Sequence, residues 1–221
     1  MKRWWPLLAA IVYVVATFAS VIGLPKAPDV NASGEVLVRY YRDHADALRT
    51  ATWLLTWALV PFVILMAHVR SFLFGLCRDV MLISVTMFAA TGTVWTWFNA
   101  GLALHAATLD PHVTRTLVDI SVYFGPILTV ADVLLAGAIG LAAWRGDGGL
   151  PRWLAYFSAV FVLEQAVETI TIFGKSGFIA PGGDMNFQLG AGLLFVWLIA
   201  LGVATSRGRA DTPALATAPV T

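Results

Sequence analysis

A single cysteine, Cys77, stands among 221 residues, which excludes an internal disulfide and any cysteine-rich metal centre. Charge is scarce as well. Lys, Arg, Asp and Glu together make up 12% of the chain, roughly half of what a soluble domain carries. The net charge of +1 offers no field that would draw in nucleic acid. A Gly-rich phosphate loop, a nucleophile elbow and a His-Glu-x-x-His pair are all absent. So is the polar/apolar alternation of a membrane barrel. No convincing internal repeat is present, so the inverted-repeat signature of many transporters is missing.

What the chain does have is apolar length. It is 59% hydrophobic with a mean hydropathy of +0.79. Runs of 18 or more apolar residues recur, each long enough to cross a hydrocarbon core of about 30 Å as a helix. Lipid leaves backbone amides no partner but each other, which favours helices. The expectation is an all-α integral membrane bundle of about six transmembrane helices, near 4–24, 51–69, 80–103, 118–143, 153–173 and 187–205. Lys2 and Arg3 before the first run imitate a signal peptide, but the run is long and no clean Ala-x-Ala site follows, so the first helix is expected to be retained. Placing the N-terminus inside puts Lys2, Arg3, Arg70, Arg78, Arg145, Arg152, Arg207 and Arg209 in short inner segments. Lys26, Arg39, Arg42, Arg49, Arg115 and Lys175 then fall in longer outer loops mixed with acids. By the positive-inside rule both termini are cytoplasmic. The Arg-over-Lys and Ala-rich composition suits a GC-rich bacterial genome, and the expected location is the bacterial inner membrane.

Between the first two spans, Leu37, Tyr40, Tyr41, His44, Ala45 and Leu48 recur at helical spacing, with Glu35/Arg39, Arg39/Asp43 and Arg42/Asp46 as i,i+4 pairs and Ser33 as N-cap. This predicts an outer amphipathic segment over 33–50, either a surface connector or a lid over a pocket. The bundle is expected to occupy 1–209, with a disordered Ala/Thr/Pro-rich tail over 210–221.

Ionisable groups inside a bilayer are costly, so they are the natural functional candidates. Glu164 and Glu168 lie one helical turn apart on the fifth span with Gln165 between them, and Phe157 and Phe161 continue that face. Asp132 lies near the middle of the fourth span, with Gly125, Thr129 and Ala136 on its side. The third span stripes Phe88, Thr91, Trp95 and Asn99; the second stacks Trp53, Trp57, Pro61, Ile64 and His68. If these faces converge, they enclose carboxylates within a wall of rings. Two carboxyls close together in low dielectric resist joint ionisation, which leaves one as a proton donor. The alternatives are plain packing: interhelical hydrogen bonds for the polar groups, and lipid contact or core packing for the ring stripes. His105, His112 and Asp110 share an outer loop without a recognised ligand spacing, so no metal and no cofactor is expected. Gly137, Gly140, Gly190 and Gly192 are candidates for close helix approach.

The Tyr40-Tyr41-Arg42-Asp43-His44 segment, the glutamate-bearing fifth span and the run from Ala180 to Asn186, with Pro181-Gly182-Gly183 inside it, resemble a group of small six-helix multi-pass bacterial membrane proteins. That likeness implies topology and no catalytic role. In size and layout, though without a shared motif, the chain is also similar to membrane-embedded terpene cyclases, which depend on intramembrane acids. The function this suggests is acid-base catalysis on a lipophilic isoprenoid. Glu164 or Glu168 would protonate an alkene or epoxide, and Asp132 would orient or reprotonate it. Trp53, Trp57, Trp95, Phe157 and Phe161 would face cationic intermediates, with Asn99 and Gln165 binding substrate. The same acids would also serve a proton- or cation-coupled carrier, and a non-catalytic scaffold is the third reading. Expected partners are membrane lipid and a lipophilic small molecule, with self-association left open and no nucleic acid.

Overall fold

The computed structural model describes residues 4–206. These are helical nearly throughout, and no strand occurs among the described residues. The protein is an all-α membrane bundle: six helical segments are long and apolar enough to span a bilayer. Lys2, Arg3, Arg207, Arg209 and the tail over 210–221 lie outside the described residues.

Helix α1 (Trp5–Ile22) begins with Pro6 in its first turn, where the missing N–H has no intrahelical partner to lose. Helix α2 (Gly34–Asp43) is capped by Ser33, whose Oγ accepts from the Val36 N–H. It ends nearer than the expected boundary at 50, because α3 (Ala45–Val69) starts immediately after His44. After the Arg70–Phe72 turn comes α4 (Gly75–Leu104), whose 30 residues make a rod of about 45 Å, longer than the hydrocarbon core. The expected span at 118–143 is two helices, α5 (Pro111–Val122) and α6 (Phe124–Arg145), meeting at Tyr123. Asp110 caps α5 through its Oδ1, 2.9 Å from the Val113 nitrogen, and Pro111 opens the first turn. Helix α7 (Arg152–Glu168) continues as a tighter 3-10 turn over Thr169–Phe173. The last span opens with a π-helical turn, Met185–Gly190, before α8 (Ala191–Ser206).

The packing order closes a ring: α1 on α3, α3 on α4, α4 on α6, α6 on α7, α7 on α8, and α8 back on α1. Lipid tails are as apolar as leucine, so small residues that let backbones approach decide these seams. A methyl on Gly140 would lie 2.7 Å from Ser158 Cβ, which marks the α6–α7 contact. Gly202, absent from the expected set, does the same between α8 and α1, where a Cβ would lie 3.0 Å from Leu7 Cα. Gly137 and Gly192 do not mark such seams: a Cβ on either meets nothing within 4 Å. Below the middle, Phe62, Leu65, Met66, Met81, Leu135, Ile139, Leu198 and Leu201 fill the interior. At that end Gly148 packs against the Phe72 backbone, joining the two short turns that carry Arg70, Arg78, Arg145 and Arg152.

The opposite end carries α2, α5 and the loop over 174–184. A side chain on Gly34 would collide with the Pro111 carbonyl, so α2 and α5 start in contact. Arg115 grips both Asp119 oxygens at 2.9 and 3.0 Å and donates to the Ala32 carbonyl at 2.5 Å. Asn31 donates to the Lys175 carbonyl. The cap therefore consists of three pieces sewn together.

Candidate functional site

Toward the capped end the ring of helices does not close on itself. Between α1, α3, α4, α6, α7 and α8 lies a mostly apolar cavity of about 450 Å³, within the range of about 300–1,000 Å³ that encloses small ligands. Its floor and one wall carry the polar groups. Asp132 projects from α6 eight residues past Phe124, hence about 12 Å along the helix. Gly125, Thr129 and Asp132 form one face of the lining. Gln165 and Glu168 come from α7, and Asn186 from the π turn.

These side chains form a connected cluster. Gln165 Nε2 donates to Glu164 Oε2 at 2.8 Å and to Glu168 Oε2 at 2.9 Å. Asn186 Nδ2 donates to Glu168 Oε1 at 2.5 Å, and Asn186 Oδ1 accepts from the Gly182 N–H at 2.9 Å. Both oxygens of Glu168 are thus occupied by amide donors. Gly190 makes this possible, because a Cβ there would strike Glu168 Oε2. Asp132, Gln165 and Glu168 are each 3% exposed. Asp132 lies within electrostatic reach of Glu168 and Glu164, and its Oδ1 is buried without a hydrogen-bond partner, as is Glu164 Oε1. The ion pairs among the described residues are Arg49–Asp46, Arg78–Asp79 and Arg115–Asp119, none of which touches the three acids.

Two ring groups line the space. Trp95 lies 5.9 Å from Phe124 and 6.5 Å from Phe187; deeper down, Tyr13 lies 6.4 Å from Phe195 while Phe88 stacks on Phe62 at 4.6 Å. Of the five rings expected to face cationic intermediates only Trp95 reaches the cavity, together with Phe88 from the same stripe of the third span. Trp53 and Trp57 are 61% and 59% exposed and face outward from α3. Its inward face is instead Leu55, Thr56, Ala58 and Leu59. Phe157 also faces outward, and Phe161 is buried against Trp197 at 5.4 Å, with Trp197 Nε1 donating to Ser158 Oγ. Large rings on a membrane helix gain as much from lipid as from protein, and small residues turn inward.

Asn99 lies above the cavity and does not line it. Its Oδ1 accepts from the Tyr41 hydroxyl at 2.9 Å, and its Nδ2 donates to the Trp95 carbonyl at 2.8 Å. Burial pushes the Tyr41 phenol above its ordinary value, which keeps it a donor. No residue of α2 lines the cavity; α2 packs on α5 and α4. His105, His112 and Asp110 do not assemble: among the described residues, no three His, Cys, Asp or Glu side chains group so as to hold a metal ion.

Asn186 and Gly190 were not among the expected site residues. The signal was the Pro181-Gly182-Gly183 turn, which winds the chain so that Asn186 points back into the bundle; Gly182 has φ +71° there. A π-helical turn is itself a common mark of a functional position. No protein-family model matches the chain, no curated protein matches it, and no solved structure matches it.

Proposed function

We propose that the protein is an intramembrane acid-base enzyme acting on a lipophilic substrate of isoprenoid type. The observation that carries this is an apolar, ring-lined cavity holding carboxylates from two helices, with no Lys or Arg paired to them among the described residues. The roles follow from hydrogen bonding. Glu168, whose two oxygens each accept an amide N–H, is the group assigned as base. Asp132, with a partnerless oxygen, is the donor. Its O–H adds a proton to a substrate C=C, leaving a carboxylate and a carbocation. Glu168 then removes a neighbouring C–H proton to form the new C=C, and that proton returns to Asp132. The net change is a double-bond isomerisation, or a cyclisation where a second C=C of the substrate attacks the cation to form a C–C bond before the proton is lost; neither needs an oxidant. Glu164, sharing the Gln165 amide, is a reservoir for the same proton. Trp95, Phe88 and Phe124 stand where ring faces stabilise the cation. This assignment reverses the donor and base roles suggested by the sequence.

The bacterial inner membrane is the proposed location, with both termini cytoplasmic; Arg70, Arg78, Arg145 and Arg152 at the end with the short turns support that orientation. The test of the activity is conversion of prenyl alkenes and epoxides by the purified protein in detergent. Asp132→Asn and Glu168→Gln should each lower turnover at least about 100-fold, the range general acid-base catalysis contributes, while the helical circular dichroism is unchanged. Full activity in both variants would sink the proposal.

A further inference from the structure

Among the described residues no Lys or Arg pairs with the acids of the cavity, and the lining says what could. Asp132 is nine-tenths buried and more, lines the space, and leaves Oδ1 without a partner. Glu168 lines the same space with both oxygens held toward amide donors rather than toward a cation. Above them the walls are rings and hydrocarbon, including Trp95, Phe88 and Phe124. A carboxylate and ring faces offset part of the hydration that an ammonium group loses on leaving water, and an alkyl chain fits the apolar remainder.

We infer that this cavity is a binding site for lipophilic ammonium ions, with the nitrogen seated beside Asp132 and Glu168 and the alkyl chain along the α1 and α3 wall formed by Phe18, Leu55 and Leu59. The inference deepens the proposed function, since the ammonium occupies the place of the positive charge that substrate protonation creates. It does not require turnover to be seen.

The experiment is equilibrium dialysis of labelled decyltrimethylammonium against the full-length protein in a neutral maltoside detergent, corrected for empty micelles. The competitor is the uncharged isostere in which a quaternary carbon replaces nitrogen. The expected result is saturable binding for which the isostere competes at least about tenfold less well, a difference of about 1.4 kcal/mol. Glu168→Gln, which removes the carboxylate charge beside the nitrogen, should weaken binding by a similar factor. Gly92→Leu should abolish it, because Gly92 lines the cavity and a Cβ there meets nothing within 4 Å. Equal competition by the isostere on the parent protein overturns the inference without recourse to any variant. Binding in Glu168→Gln equal to the parent overturns it too. Charge-selective binding without conversion of any prenyl substrate would leave this inference standing and count against the enzyme reading alone.

Discussion

Glu168 accepts from Gln165 on one oxygen and Asn186 on the other, and Gly190 closes over it without a side chain. A methyl added at Gly190 must displace the carboxylate or the Gln165 amide. Gly190→Ala is therefore expected to lower stability by about 1–3 kcal/mol, the usual cost of overpacking, read as an earlier thermal unfolding midpoint in detergent. Asn186→Leu, which removes one donor but keeps the volume, should impair conversion more than it impairs folding; equal loss of both would make Asn186 merely structural. Among the single residues, the acids were legible in the sequence because an ionisable group inside an apolar run has so few innocent explanations. Asn186 was not, since it sits at the edge of its span, where polar residues are ordinary. Trp53 and Trp57 misled for a reason specific to lipid. Hydropathy marks them as apolar, but the bilayer is as good a place for an indole as the bundle interior, so periodicity finds the stripe without saying which way it faces.

Helices α2 and α5 hold the capped end together, and their junctions make separate predictions. Removing the Tyr41 hydroxyl leaves the Asn99 carbonyl oxygen buried and unpaired, so Tyr41→Phe should cost about 1–3 kcal/mol, measured by thermal unfolding. The same phenol gives a pH dependence whose sign is fixed. Its folded value is raised by burial, so its contribution is intact below the unfolded phenol value of about 10 and is lost as pH rises toward the higher folded value. Alkaline unfolding of the parent should thus include a component that Tyr41→Phe lacks. Superimposable alkaline profiles would remove Tyr41 from the account. At this scale the amphipathic pattern of α2 was readable from its charges and apolar spacing, and so was the Ser33 cap. Helix α5 was not, although Asp110-Pro111 is a helix-start signal. Its polar residues made it look like loop; in the structure Gly34 seats against its start, Arg115 ties it to Ala32 just before α2, and Leu117 and Val118 pack on the cluster that includes Tyr41. The π turn at Met185–Gly190 left no sequence trace beyond the glycines before it.

As a whole the molecule is a ring of six spanning segments with a cavity at one end and a packed core at the other. That asymmetry sets the cavity toward one side of the bundle, with Leu135, Ile139, Leu198 and Leu201 packed at the other. Topology was the most legible property, because span length and hydropathy follow directly from the bilayer's thickness. Neighbour relations were not, because small-residue seams such as Gly140 and Gly202 look alike in sequence wherever they occur. For orientation, single cysteines placed at Asn31 and at Gly149 in a Cys77→Ser background should label oppositely with an impermeant maleimide on whole cells, Asn31 reacting and Gly149 protected. Reversal would invert the proposed topology. The central claim is that acids of α6 and α7 share a sheltered apolar space, and carbodiimide labelling mapped by peptide mass tests it most directly. Apolar dicyclohexylcarbodiimide should modify Asp132 or Glu168 in the parent and fail to do so in Gly92→Leu, while a water-soluble carbodiimide leaves both untouched. Equal labelling of these acids by the water-soluble reagent, or none by the apolar one, would contradict the account.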